Sequence, residues 1–257
     1  MELETIIWGN YMAEFTIYTH SQRPELESLL STFGDVWPEF IFHDEIARTY
    51  LHHTDTTFAH LNLYLCDEND VLVAAGYGVA IAWDGSIETL PAGWDGALEQ
   101  AVHDYEAHRM PTTFCALAAM VKQSEHGRGL SKYVLHAMKS AARKANLVRM
   151  IAPVRPTLKS QYPLTPIDRY ITWKQADGSP FDPWIHVHWK EGGEIIKAAP
   201  HSMVIRGKVE EWESWTKMRF PESGSYVVPG ALKPIAIDCE RNEGMYEEPN
   251  VWMRHIL

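Results

Sequence analysis

"VKQSEHGRGLSKYVLHAM", residues Val121 to Met138, closes one kind of chain and opens another. The run ahead of it, "TTFCALAAMV" (Thr112 to Val121), is nearly continuous in apolar residues, as expected of a strand buried on both faces. Behind it, Leu130, Val134, Ala137, Met138 and Ala141 fall on one side of a 3.6-residue period, which predicts a helix from Leu130 to Ala145. "LVRMIAPV" (Leu147 to Val154) predicts the next strand. The stretch is therefore strand, glycine turn, helix, strand: a βαβ unit with Gly127 and Gly129 at its joint.

Two glycines at such a joint let backbone N–H groups converge where a Cβ would intrude. The free N–H groups and positive dipole end of the helix point the same way, so the joint suits an anion, a pyrophosphate in particular. Arg128 and Lys132 add positive charge. A Walker A loop is absent. The dinucleotide fingerprint lacks its third glycine, since Lys132 follows Ser131, and no acidic ribose ligand lies about 20 residues on. Coenzyme A remains as a phosphate ligand, beside a purely structural turn.

Working outward, "EFTIYTH" (Glu14 to His20) alternates like a strand, and two helical stretches follow, "PELESLLSTFGDVWPEFIF" and "HDEIARTYLHH". "LNLYLCDENDVLVAAGYGVAIAW" reads as a hairpin around Asp67 to Asp70. An acidic insertion, Asp84 to Pro111, carries a helical middle, "GALEQAVHDYEAHR". After a proline-rich loop, "DPWIHVHWKEGG" predicts a short helix capped by Asp182 and "EIIKAAPHSMVI" a strand. A short helix and two further strands are expected beyond Val209. No repeat or linker divides the 257 residues, which predicts one domain with a core over about 14–205 and a C-terminal extension over 206–257.

A net charge of -11 argues against nucleic acid or an anionic membrane as partner and mildly favours a cationic ligand such as an amine. "MELETIIWGN" does not read as a leader, and no stretch has the apolar length of a membrane span. Three widely spaced cysteines make no disulfide framework. A cytoplasmic protein is expected. His186 and His188, two apart on a helix, diverge and suggest no metal site.

The stretch resembles motif A of the GNAT superfamily of acyl-CoA-dependent N-acyltransferases: a strand ending in valine, then [QR]-x-x-G-x-[GA] opening a helix. Val121 ends the strand, and His126, Gly127, Arg128, Gly129, Leu130 and Ser131 fill the six positions. His126 stands where Gln or Arg is usual, and Ser131 where Gly or Ala is. The order of elements is similar to the family's from about Glu14 to Ile205.

The resemblance implies an α/β (α+β) fold, a mixed central sheet flanked by helices. It further implies acetyl transfer from acetyl-CoA, or another acyl-CoA, to a primary amine of a small molecule. Ala119, Met120 and Val121 would offer backbone groups to the pantetheine arm, Gly127 to Lys132 would hold the pyrophosphate, and a backbone N–H near Met120 or Val121 would polarise the thioester. The family's tyrosine acid aligns with either His188 or Tyr162. A non-catalytic acyl-CoA-binding module is the alternative, and the C-terminal strands could pair between subunits in a homodimer.

Overall fold

A computed structural model of the protein describes residues 15–34 and 37–257. The reading of "MELETIIWGN" as no leader, and Glu14 at the start of the first predicted strand, lie outside these residues.

The chain enters as β1 (Thr16–Thr19). The two helical stretches predicted next are largely 3-10 turns, Pro24–Phe33 and Glu39–His43, ahead of a short helix α1 (Glu45–Tyr50). In the first turn the hydroxyls of Ser28, Ser31 and Thr32 each donate to the carbonyl three residues back, an alternative to the regular helical ladder. The hairpin forms as β2 (Leu63–Cys66) and β3 (Leu72–Ile81), closed by Asp67, whose Oδ1 accepts the N–H groups of Asn69 and Val71. The insertion contributes α2 (Trp94–Glu106). The decisive stretch folds as read: β4 (Thr113–Val121), α3 (Leu130–Lys144), β5 (Arg149–Val154).

The proline-rich loop holds a four-residue helix, α4 (Ile167–Tyr170). Then comes α5 (Pro183–Lys190), with Asp182 accepting the N–H groups of Trp184 and Ile185 as its cap. β6 (Glu194–Gly207), α6 (Val209–Thr216), β7 (Gly224–Tyr226), β8 (Ile235–Asp238) and β9 (Glu243–Ile256) complete the chain. Among the described residues no helix is long and apolar enough to cross a membrane.

All the strands join one sheet in the order β1-β2-β3-β4-β5-β9-β8-β7, with β6 also pairing with β9. This places the last strand beside β5, so the expected division into a core to about 205 and an extension over 206–257 does not hold as drawn. β9 runs antiparallel to both β5 and β6 in the middle of the sheet. The segment between β6 and β9, holding α6, β7 and β8, packs around an apolar cluster of Trp212 and Ile235 that it shares with Phe40, Met203, Ile205 and Tyr246. The C-terminal strands thus pair within the chain.

The parallel pair β4 and β5 is short. Thr113, Phe114 and Cys115 pair with Arg149, Met150 and Ile151, and there the ladder stops. β4 continues along β3 to Val121, while β5 continues along β9 to Val154. Two local features end the pairing. Leu117 is an extra residue in β4, a bulge between the partners of Tyr77 and Gly78. Pro153 in β5 has no N–H with which to extend a ladder. A gap therefore opens between the C-terminal halves of two adjacent strands. α3 closes one face below it with Leu130, Val134, Leu135, Met138 and Ala142 buried.

Candidate active site

The edges of the gap are backbone. Lys122 N–H donates to the Val73 carbonyl, 3.0 Å away, so Lys122 faces β3. In an antiparallel pair, residues alternate between those that bond the partner and those that turn away from it. Met120 therefore also spends its backbone groups on β3. Ala119 and Val121 turn theirs toward the gap. The Val121 carbonyl shows this directly, since His126 Nε2 donates to it at 3.0 Å from the side away from β3. Of the two donors expected for a thioester carbonyl, Val121 faces the gap and Met120 does not. At the bulge, the Leu117 carbonyl accepts from Trp94 Nε1 at 2.9 Å, which ties the start of α2 to the wall of the gap.

Gly127 and Gly129 both have left-handed backbone, with φ of 81° and 72°, and Gly129 is the residue before the first turn of α3. A Cβ built at either meets nothing within 4 Å, so the conformation requires glycine while the space beside it stays open. The first N–H groups of α3 have no helical acceptor and point into this open space. Arg128 pairs with Glu125, and the Lys132 ammonium lies over the Tyr133 ring. The structure thus brings Ala119, Met120, Val121 and His126 to Lys132 together at one end of the gap. Further along α3, His136 and Lys139 reach Glu191 at the end of α5, so half of the basic helix face is tied to a neighbouring helix.

The two acid candidates separate. His188 lies inside the protein, 1% exposed, with Nδ1 3.0 Å from His255 Nε2 and its ring edge-on to Trp184. Burial, then the neighbouring His255 and Lys139, push its pKa well below the ordinary histidine value. Buried and held in its neutral form at neutral pH, His188 is poorly suited to protonating a leaving thiolate, which argues against His188 as the acid. Tyr162 sits in the loop after β5, its ring braced by Trp173 and Phe181. Among the described residues its hydroxyl has no hydrogen-bond partner and is not buried.

A cavity of about 630 Å³ opens between α1, the start of α2 and β6. Asp95, one residue after Trp94, lines it, with Oδ2 accepting the Val204 N–H at 2.9 Å. Asp44, fully buried, caps α1 through Oδ1 at 2.7 Å from Ala47 N. The second oxygen of each, Asp44 Oδ2 and Asp95 Oδ1, is buried without a hydrogen-bond partner. Burial and the nearby Asp44 raise the Asp95 pKa to about 8, and burial raises that of Asp44. α2 can approach β6 this closely because residue 93 is glycine; a Cβ there would stand 2.2 Å from Ser202 Cα. Nothing in the local sequence singles out Asp95, whose neighbours come from far along the chain.

Among the described residues one group of metal-type ligands converges, His20, Glu27 and Asp55. Glu27 already accepts from the hydroxyls of Tyr64 and Tyr77, and His20 Nδ1 bonds the Tyr64 hydroxyl at 2.8 Å. Among the described residues His186 and His188 belong to no such group.

No family model matches the sequence. Over 95% of this chain and 94% of the relative, it is 28% identical to the arginine N-acetyltransferase avaD of Aspergillus versicolor. The fold is similar to the loading GNATL domain of CurA from Lyngbya majuscula, with TM-score 0.59, 16% identity, and 96% and 98% of the two chains covered. It is also similar to the GphF GNAT-like decarboxylase in complex with isobutyryl-CoA, with TM-score 0.58, 17% identity, and 93% and 98% covered. The chain has the fold of the GNAT superfamily and is, along nearly its whole length, a distant sequence relative of an N-acetyltransferase.

Proposed function

We propose that the protein is an acyl-CoA-dependent N-acyltransferase that moves an acetyl group from acetyl-CoA to a primary amine of a small molecule. The observation that carries this reading is the gap between β4 and β5, which ends at an open glycine turn on a helix N-terminus. A strand edge with unspent N–H and C=O groups suits the amide-bearing pantetheine arm as an added strand would. The turn over Gly127, Arg128, Gly129, Leu130, Ser131 and Lys132 suits the pyrophosphate.

In this reading Val121 N–H donates to the thioester oxygen and stabilises the oxyanion that forms as the neutral amine attacks the carbonyl carbon. The carbon–sulfur bond then breaks, the amine loses its proton to water, and Tyr162 protonates the departing thiolate. Ala119 positions the arm beside the same edge. Met120, buried in the apolar cluster with Tyr64 and Tyr77, does not offer its N–H.

Full-length similarity to an N-acetyltransferase supports catalysis over a silent acyl-CoA-binding module. The test is free-thiol release from acetyl-CoA with and without amines, starting with L-arginine because the relative is named for it. Amine-dependent release with formation of the acetylated amine is the expected result. Binding of acetyl-CoA with no release for any amine would leave the binding-module reading.

A further inference from the structure

We infer that the buried Lys159 is a positioning residue for the reaction, and that it fixes Tyr162 by tying it to the segment between β7 and β8. This rests on the acyltransferase reading with Tyr162 as its acid, and it assigns a task to the C-terminal part of the chain.

Lys159 opens a three-residue 3-10 turn, Lys159–Gln161, that ends at Tyr162. A turn this short makes too few bonds of its own to hold a side chain in place. The Tyr162 N–H donates to the Lys159 carbonyl at 2.9 Å, and the Lys159 ammonium donates back to the Tyr162 carbonyl at 2.9 Å. A second N–H of the same ammonium donates to the carbonyl of Leu232, 73 residues on, at 2.5 Å. Trp173 and Phe181 brace the Tyr162 ring, but from within the same long loop. Asp182 holds that loop through the N–H groups of Thr157 and Leu158, ahead of the turn.

The far end of the bridge is itself anchored. The Leu232 N–H donates to the Tyr246 hydroxyl at 2.8 Å, and Tyr246 donates to Glu248 on β9 at 2.5 Å. Arg155, which pairs with Glu248, also donates to the Gly230 carbonyl at 2.7 Å. Gly230 has left-handed backbone, and a Cβ on it would stand 2.5 Å from Pro38 Cγ, so the close seat of this segment requires glycine.

A lysine is a costly choice for this place. Lys159 is fully buried, and both of these bonds go to neutral carbonyls rather than to a carboxylate. Burying an ammonium in this way costs more than burying an apolar side chain of similar length. Burial holds its pKa down to about 8, with Glu248 opposing the shift, so the ammonium persists at neutral pH. One of its bonds falls on the backbone of the acid and the other on an anchored segment, an arrangement that holds Tyr162 and does more than fill space.

The experiment is a double-mutant cycle on Lys159→Met and Tyr162→Phe, run with acetyl-CoA and the amine that the thiol-release assay identifies, L-arginine being tried first. Lys159→Met keeps the length and removes the donors. It is expected to lower kcat by about tenfold with the KM for acetyl-CoA within about twofold, since a small misplacement of an acting group costs rate rather than binding. The Tm rise with acetyl-CoA should match that of the native protein. In a Tyr162→Phe background the same substitution is expected to change kcat by less than about twofold, because the hydroxyl it positions is gone. A merely structural lysine would lower kcat by the same factor in both backgrounds.

Lys159→Gln keeps a shorter, neutral donor and covers the case in which the methionine variant does not fold; it is expected to lower kcat by about threefold. An unchanged kcat in a folded Lys159 variant, or an equal loss with and without the Tyr162 hydroxyl, would overturn the positioning role and leave the acyltransferase reading intact. A native kcat in Tyr162→Phe would instead sink the acid, and no amine-dependent thiol release from the native protein would sink the acyltransferase reading; either takes this inference with it.

Discussion

His126 Nε2 lies 3.0 Å from the carbonyl oxygen of Val121, so the first residue of the glycine motif is latched to the last residue of the strand before it. The latch occupies the one Val121 backbone group that an incoming ligand would find repulsive next to its own carbonyl. It leaves the Val121 N–H facing the gap.

Breaking the latch should weaken cofactor handling without unfolding the protein. His126→Ala is expected to raise the KM for acetyl-CoA by roughly two- to fivefold, the worth of about one exposed hydrogen bond. His126→Gln retains a side-chain donor and should recover most of the loss. Steady-state kinetics at saturating amine measure both.

Tyr162 and His188 make opposite predictions. Tyr162→Phe removes the proposed proton donor and is expected to lower kcat by about a hundredfold with little change in KM, a size usual for general acid catalysis. His188→Gln should keep kcat within about threefold, since His188 is buried away from the gap. A large kcat loss in His188→Gln together with an unaltered Tyr162→Phe would restore the histidine as the acid.

The buried pair His188 and His255 should make stability depend on acidity. Burial, chiefly, and the Lys139 ammonium hold the His255 pKa down to about 4, and His188 is also held well below 6.5. Glu191 on α5 opposes the shift and Lys139 on α3 reinforces it. The unfolded chain binds protons first as pH falls, so this contribution is whole above pH 6.5 and is lost between about 6.5 and 4. For His255 alone it is on the order of 3 kcal/mol. Urea midpoints measured across that range should fall, and His255→Asn should flatten the slope.

The buried ion pair of Arg155 with Glu248 bridges the loop after β5 to β9, and Tyr246 donates to the same carboxylate at 2.5 Å. Arg155→Met leaves Glu248 charged and buried, and is expected to cost about 3–5 kcal/mol by denaturant unfolding. Replacing Arg155 and Glu248 together by Met and Gln should recover part of that loss.

Much of this architecture is local and could be read in the chain. The βαβ unit follows from apolar period and two glycines, and Asp182, Asp44 and Asp67 act at the helix ends and turn where their neighbours predict. What could not be read is set by distant pairing. β9 takes its place between β5 and β6 through partners roughly 50 and 100 residues away, so it read as an extension. His188 differs from a catalytic residue only in which face of α5 it occupies, and that is decided by His255 on β9. The cavity beside Asp95 depends on Gly93 meeting Ser202, which nothing in the local sequence announces. Pro153, which has no N–H, marks locally where the β4 and β5 ladder stops short.

The central claim is that acyl-CoA binds with its pyrophosphate on the glycine turn, and paired thermal melts test it most directly. Gly129→Ala and Gly129→Glu place the same strain on a left-handed residue, about 1–2 kcal/mol, but only glutamate brings a negative charge to the anion site. Acetyl-CoA at about 100 times its Kd should raise the Tm of the native protein by roughly 5–10 °C. The account predicts a similar rise for Gly129→Ala and none for Gly129→Glu. An equal rise in the glutamate variant, or no rise in the native protein with any CoA compound, would contradict it.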